Sequence, residues 1–199
     1  MKKFELTTNS KMYLGKKLFQ IKALISFGNV KEGDLGGFIE KEDNLSQYGN
    51  AWVYGDAEVY GNARVYGDAE VSGNAEVYGN ARVYGDAWVS GDAEVSGDAE
   101  VSGDARVYGD ARVSGDAWVS GDAEVYGDED YTTIKGFGRN CRNTTFFKSE
   151  DGDVKVVCGC FYGTLDEFRK KVKETHGDSK YATEYLMIAD LMELHFKED

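Results

Sequence analysis

Three cysteines, two histidines and one short basic loop carry the reactive chemistry of this sequence. Cys158-Gly159-Cys160 sets two thiols one residue apart, and His176 follows downstream. Thiolate and imidazole are zinc ligands, but zinc knuckles space their cysteines by two to four residues, and only Cys141 offers a fourth ligand here. The spacing therefore favours buried structural thiols over a metal centre, and no metal is expected. The loop Gly136-Phe137-Gly138-Arg139-Asn140-Cys141-Arg142-Asn143 is glycine-bearing and basic. Guanidinium groups bind anions through paired N–H donors, which makes Arg139 and Arg142 candidate anion ligands, with a solvated hairpin loop as the plainer reading. No G-K-[ST] follows the glycines, so this is not a phosphate-binding loop.

These residues lie beyond a long periodic segment that must position them. The unit A-x-V-[YS]-G-[DN] repeats every six residues, with valine at thirteen successive positions from Val53 to Val125 and alanine likewise from Ala51 to Ala123. Alternate side chains of an extended strand face opposite ways. Ala57 and Val59 therefore share an inner face, while Glu58 and Tyr60 point out. Gly61-Asn62 makes the corner, because glycine takes backbone angles closed to other residues and Asn or Asp bonds its nearby backbone. A lining of only Ala and Val fits a narrow three-sided column. Three hexads then form one coil, thirteen hexads give just over four coils, and the flanking half-repeats supply one more. Each buried valine contributes about 1.5–3 kcal/mol. Near-identical rungs tolerate slippage by a whole coil, so unlike ends must fix the register and cover the open edges. Residues 1–44 are expected to cap one end. Residues 45–128 form the repeat, and residues 129–199 cover the other end or pair with a second subunit.

The chain holds 199 residues, 36 acidic against 23 basic, and no proline. Proline cannot donate to a ladder, so its absence suits a chain whose N–H groups are nearly all committed. The imbalance is local: residues 45–128 carry four arginines against ten aspartates and six glutamates, a net charge of −12. Such a field repels nucleic acid and acidic membranes and attracts basic protein surfaces. No direct nucleic-acid partner and no membrane are expected. No apolar run is long enough to span a bilayer, and the opening MKKFELTTNSK lacks the apolar core of a signal peptide, so a cytoplasmic location is expected.

Coils of eighteen residues predict vertical rows. Corners should align as Asn50, Asp68, Asp86, Asp104, Asp122; as Asp56, Asn74, Asp92, Asp110; and as Asn62, Asn80, Asp98, Asp116. The repeat lacks the G-G-x-G-x-D pattern of calcium-binding β-rolls, so these are read as turn residues. Outward side chains should align as Trp52, Glu70, Trp88, Arg106, Glu124 and as Arg64, Arg82, Glu100, Trp118. Tyr60 falls over Tyr78, and Tyr66 over Tyr84. Tryptophan and arginine are enriched at interfaces. Trp52, Trp88, Trp118 and Arg106 are therefore candidate contact residues of a subunit or partner interface.

Beyond the repeat, residues 132–135 read as a strand. Thr144–Lys148 and Val154–Cys158 read as a hairpin around Glu150-Asp151-Gly152. A helix begins at Thr164 with Glu167 at capping-box spacing and ends at Gly177. A second runs from about Ser179 to Phe196, with Tyr181, Tyr185, Ile188, Leu191 and Met192 near one side.

The pattern V-Y-G-D-A-E resembles the hexapeptide repeat of left-handed parallel β-helices, and that resemblance implies the left hand. The stretch Gly33-Asp34-Leu35-Gly36-Gly37-Phe38-Ile39, followed by Asn44-Leu45-Ser46, resembles the lead-in of phage and prophage hexapeptide-repeat proteins. Cys158-Gly159-Cys160-Phe161 with Gly163-Thr164-Leu165, leading to Thr175-His176-Gly177, resembles their C-terminal module. The expected fold is therefore mainly β: a left-handed parallel β-helix with an N-terminal β cap and a C-terminal α+β module. Left-handed β-helices are chiefly acyltransferases, which use histidine as general base between subunits of a trimer. Here His176 and His195 both lie outside the repeat. The expected function is a non-enzymatic oligomeric binding scaffold, a trimer in preference, engaging a host protein such as a defence or DNA-handling factor. No catalytic residue and no cofactor are expected. The alternatives are sequestration of a small anionic nucleotide at a subunit junction through Arg139 and Arg142, and an acyltransferase-like enzyme.

Overall fold

A computed structural model describes residues 2–197. Strands β1 (Phe4–Tyr13) and β2 (Lys16–Ala23) form an antiparallel hairpin, and β2 pairs antiparallel with β3 (Leu35–Ile39). Thirteen two-residue strands, β4 to β16, then recur every six residues from Trp52–Val53 to Glu124–Val125. They stack in three parallel sheets with a register of eighteen residues, Trp88 pairing with Glu70 on one side and Arg106 on the other. The expected rows are all present.

The first coil starts earlier than the repeat itself. Phe38 and Ile39 pair parallel with Glu58 and Val59, and Leu45 bridges Val65. Each face therefore has five rungs, giving a parallel β-solenoid of five turns whose first turn begins inside the segment assigned to the cap. Gly36 and Gly37 permit this closure. A Cβ at Gly36 would stand 2.5 Å from the Val53 carbonyl, and one at Gly37 would stand 2.6 Å from that of Ala57. All thirteen repeat valines are fully buried, as are the alanines beside them.

The module contains β17 (Tyr131–Phe137), β18 (Arg142–Lys148), β19 (Val154–Cys158) and β20 (Phe161–Thr164) in one antiparallel meander, followed by α1 (Leu165–His176) and α2 (Lys180–His195). Strand alternation makes this sheet two-faced. Phe147 and Val157 pack against the solenoid core, while Phe146 and Val156 pack under the helices. Thr164 and Glu167 form the expected capping box, and Gly177 closes α1 with a φ of 55°. On α2, Tyr185, Ile188 and Met192 face inward as expected. Leu191 does not: it joins Met187 and Leu194 on the exposed side, because β-sheet and α1 cover only one flank of the helix.

The two ends of the column differ in polarity, and their caps match. Every coil's N–H groups bond to carbonyls of the next coil, as in Trp52 N–H to Ala69 and Trp88 N–H to Ala105. The first coil therefore presents free carbonyls and the last presents free N–H groups, each costly to bury unpaired. At the first end the Lys3 ammonium donates to the Gly49 and Ala51 carbonyls, and the Asn44 amide donates to those of Gly61 and Ala63. At the last end the supply is acceptors. Asp128 takes the Arg112 N–H, the Tyr131 hydroxyl takes that of Ser114, Thr145 Oγ1 takes that of Trp118, and Asp130 takes those of Tyr126 and Gly127.

Candidate functional site

Two features of the surface combine residues that could recognise a partner or ligand. The first is the set of corner columns. Nine of the ten solenoid aspartates are exposed, Asp122 being half-buried. Among the described residues only Asp116 has an ion-pair partner, Lys135. Asparagine relieves the columns where it occurs: Asn74 donates to Asp92 and Asn80 to Asp98, both at 2.9 Å. The outward glutamates are more fully answered. Arg82 pairs with Glu100 at 3.0 Å and Arg106 with Glu124 at 2.9 Å, while Arg112 lies 3.6 Å from Glu94. Unneutralised charge is thus concentrated on the corners. A third outward row, Phe38, Glu58, Glu76, Glu94, Arg112, was not among the rows drawn from the sequence. Its glutamates are held by Lys11 on Glu58 and by the hydroxyls of Tyr13 and Tyr60 on Glu76. Those bonds, with burial, raise both tyrosines. For Tyr13 the hydrogen bond is the leading cause and carries it to about 12, whereas for Tyr60 burial leads.

The tryptophans do not form one contact face. Trp52 is fully buried, because Phe4 and Phe27 pack edge-on against it at ring distances of 6.2 and 5.4 Å. It anchors the N-terminal cap and is no interface residue. Trp88 and Trp118 are partly exposed, on different faces, and their indole N–H groups donate to Ser72 and Ser102 one rung earlier. Tyr60 and Tyr66 stack on Tyr78 and Tyr84 with ring planes within 4°.

The second feature lies in the module. Arg139 and Asn140 in the turn between β17 and β18, Arg142 at the start of β18, Cys158 and Phe161 flanking the β19–β20 turn with Cys160 in it, and Lys171, Thr175 and His176 on α1 line one cavity of about 280 Å³, with Phe168, Val172 and Tyr185 as its floor. Four basic side chains and no carboxylate line it. The Arg142 guanidinium occupies the space that Gly159 leaves open, where a Cβ would stand 2.4 Å from its Nη1. The His176 and Tyr185 rings lie 5.8 Å apart and 30° from parallel. The Tyr185 hydroxyl donates to the Phe137 carbonyl at 3.2 Å, and burial together with the Cys158 thiol pushes it up to about 12. Arg142 also borders a second cleft, shared with Trp118 at the solenoid's last rung.

The thiols differ from the expectation of burial. Cys141 and Cys160 are exposed and Cys158 is half-buried, all three free. Gly159-Cys160 forms a two-residue hairpin turn, which carries Cys160 to the tip. Cys158 accepts from the Thr144 hydroxyl at 3.2 Å. Among the described residues, no group of three or more Cys, His, Asp or Glu has metal-binding geometry, and no helix is long and apolar enough to cross a membrane. His176 ends α1 and His195 ends α2, both away from the coils. Sequence reading found Arg139 and Arg142. It missed Lys171 and the aromatic floor, since Phe168 and Val172, four residues apart, have the spacing of any apolar helix face.

Fold and surface together define a β-solenoid repeat protein carrying a small α+β module. Three segments, residues 57–73, 75–91 and 105–121, match the family model described as the YdcK beta solenoid repeat. The similarity lies wholly within the coils. No curated protein matches the chain.

Proposed function

We propose that this protein is a non-enzymatic, oligomeric binding scaffold whose acidic solenoid engages a basic surface on another protein. The observation that carries this reading is the array of exposed corner aspartates, stacked about 4.8 Å apart and left without cationic partners along most of the column. Like charges so placed cost stability, and a basic partner recovers that cost on binding. Net negative charge also speeds encounter with a basic partner. The resemblance to phage hexapeptide-repeat proteins makes a bacterial host protein in the cytoplasm the partner of choice, a defence or DNA-handling factor, and the left hand and a trimeric assembly belong to the same reading.

The test is affinity capture from a bacterial lysate with the whole chain and with a variant carrying Asn at Asp86, Asp92, Asp104 and Asp110. Basic proteins retained by the first and lost by the second support the scaffold. Captured proteins no more basic than the lysate contradict it. Light scattering separates the assembly: three chains per particle support the trimer, and a clean monomer removes it.

A further inference from the structure

In a chain of net charge −13, an arginine without a carboxylate partner marks a place where positive charge is left over. Four of the seven arginines, Arg82, Arg106, Arg112 and Arg169, have carboxylate partners. Among the described residues Arg64, Arg139 and Arg142 have none, and two of these three border the module cavity. Lys171 stands on the same rim with only a long 3.8 Å contact to Glu174, and His176 closes the side. Beneath them the cavity is walled by rings. Phe168 lies 5.6 Å from Tyr185 and from Phe161, and Tyr185 faces His176.

We infer that this cavity is a binding site for a small organic anion: a flat unsaturated ring held against Tyr185 and His176, bearing a phosphate or carboxylate that Arg139 and Arg142 hold. Guanidinium forks recognise either group through paired N–H donors, and an aromatic wall takes a flat ring by offset stacking. At about 280 Å³ the space suits a ligand smaller than the drug-sized molecules of larger pockets. The site is complete within one chain. It requires no subunit junction and is independent of the acidic columns.

Calorimetry on the full-length protein with three probes tests the inference: adenosine monophosphate, benzoate and inorganic phosphate. Adenosine monophosphate or benzoate should bind, at least about tenfold more tightly than inorganic phosphate, and R139Q/R142Q should lose at least about tenfold in affinity. Preference for the nucleotide assigns the site to phosphates, and preference for benzoate assigns it to carboxylates. Both arginines are exposed, so an unchanged circular dichroism spectrum establishes that the variant is folded. The bound ligand should also slow alkylation of Cys160, which lines the cavity, and leave exposed Cys141 unaffected. Binding of neither organic probe below about 1 mM, equal affinity in R139Q/R142Q, or inorganic phosphate binding as tightly as both organic anions overturns it.

Discussion

The Lys3 ammonium donates to the Ala51 carbonyl at 2.8 Å, supplying from a side chain the donor that a preceding coil would have supplied from its backbone. At the opposite end Thr145 Oγ1 takes the Trp118 N–H at 3.0 Å, supplying an acceptor in the same way. A parallel stack has a direction, and its two ends need opposite chemistry. The caps are therefore not interchangeable, and they close the open rungs against another chain.

Lys3→Met keeps the buried stem and removes the donor. It should cost about 1–3 kcal/mol, the usual penalty for stranding buried acceptors. Thermal unfolding should fall by about 2–4 °C for each kcal/mol at this chain length. Burial lowers the Lys3 ammonium to about 8, with Asp68 opposing, against 10.5 for an ordinary lysine. Between those values the unfolded chain binds more protons, so this residue makes stability rise from pH 8 to 10.5. Denaturant titrations across that window should show the rise in the wild type and its loss in Lys3→Met.

Trp52 and Trp88 occupy equivalent positions two coils apart and should respond unequally. Trp52→Ala empties a packed site under Phe4 and Phe27 and should cost about 3–5 kcal/mol. Trp88 is 46% exposed, and Trp88→Ala should cost about 1 kcal/mol or less. Urea unfolding of the two variants measures the difference, and equal losses would contradict the capped position of Trp52.

Corner glycines separate backbone strain from stacking. Gly85 and Gly115 have φ of 74° and 69°, yet a Cβ at Gly85 would meet the Gly103 backbone at 3.0 Å while one at Gly115 meets nothing within 4 Å. Gly115→Ala should cost about 1–2 kcal/mol from the left-handed conformation alone. Gly85→Ala should cost a further ~1–3 kcal/mol, because the coil below has to move. Chemical denaturation of both variants measures the increment directly.

Asp86 stacks between Asp68 and Asp104 with no amide to relieve it. Asp86→Asn creates the arrangement by which Asn80 donates to Asp98. It should stabilise by about 0.2–1 kcal/mol. The gain should shrink in about 1 M salt, where the Debye length falls to roughly 3 Å. Melting curves at low and high salt check both statements.

Much of the fold is legible in the hexad, because one inward valine and one corner glycine per strand leave the chain few alternatives. The rows follow by arithmetic once three strands make a coil. Trp52 was misplaced for a physical reason: its position in the repeat faces outward, and only the folded cap, bringing Phe4 and Phe27 from distant sequence, covers it. The first coil was hidden likewise. Eight residues separate Leu45 from Val53 where the repeat has six, which breaks the period. In the module, Arg139 and Arg142 stood out by charge. The cavity did not, since it forms only where α1 lies across two hairpin turns.

The stacking register underlies the columns, the caps and the faces alike, and scalar couplings through hydrogen bonds measure it directly by NMR. Each mid-column amide should couple to the carbonyl seventeen residues onward, Tyr84 to Val101, Asp86 to Gly103 and Trp88 to Ala105. Couplings at that offset along the repeat support the five-turn column. Couplings from the same amides to carbonyls at any other offset would contradict it.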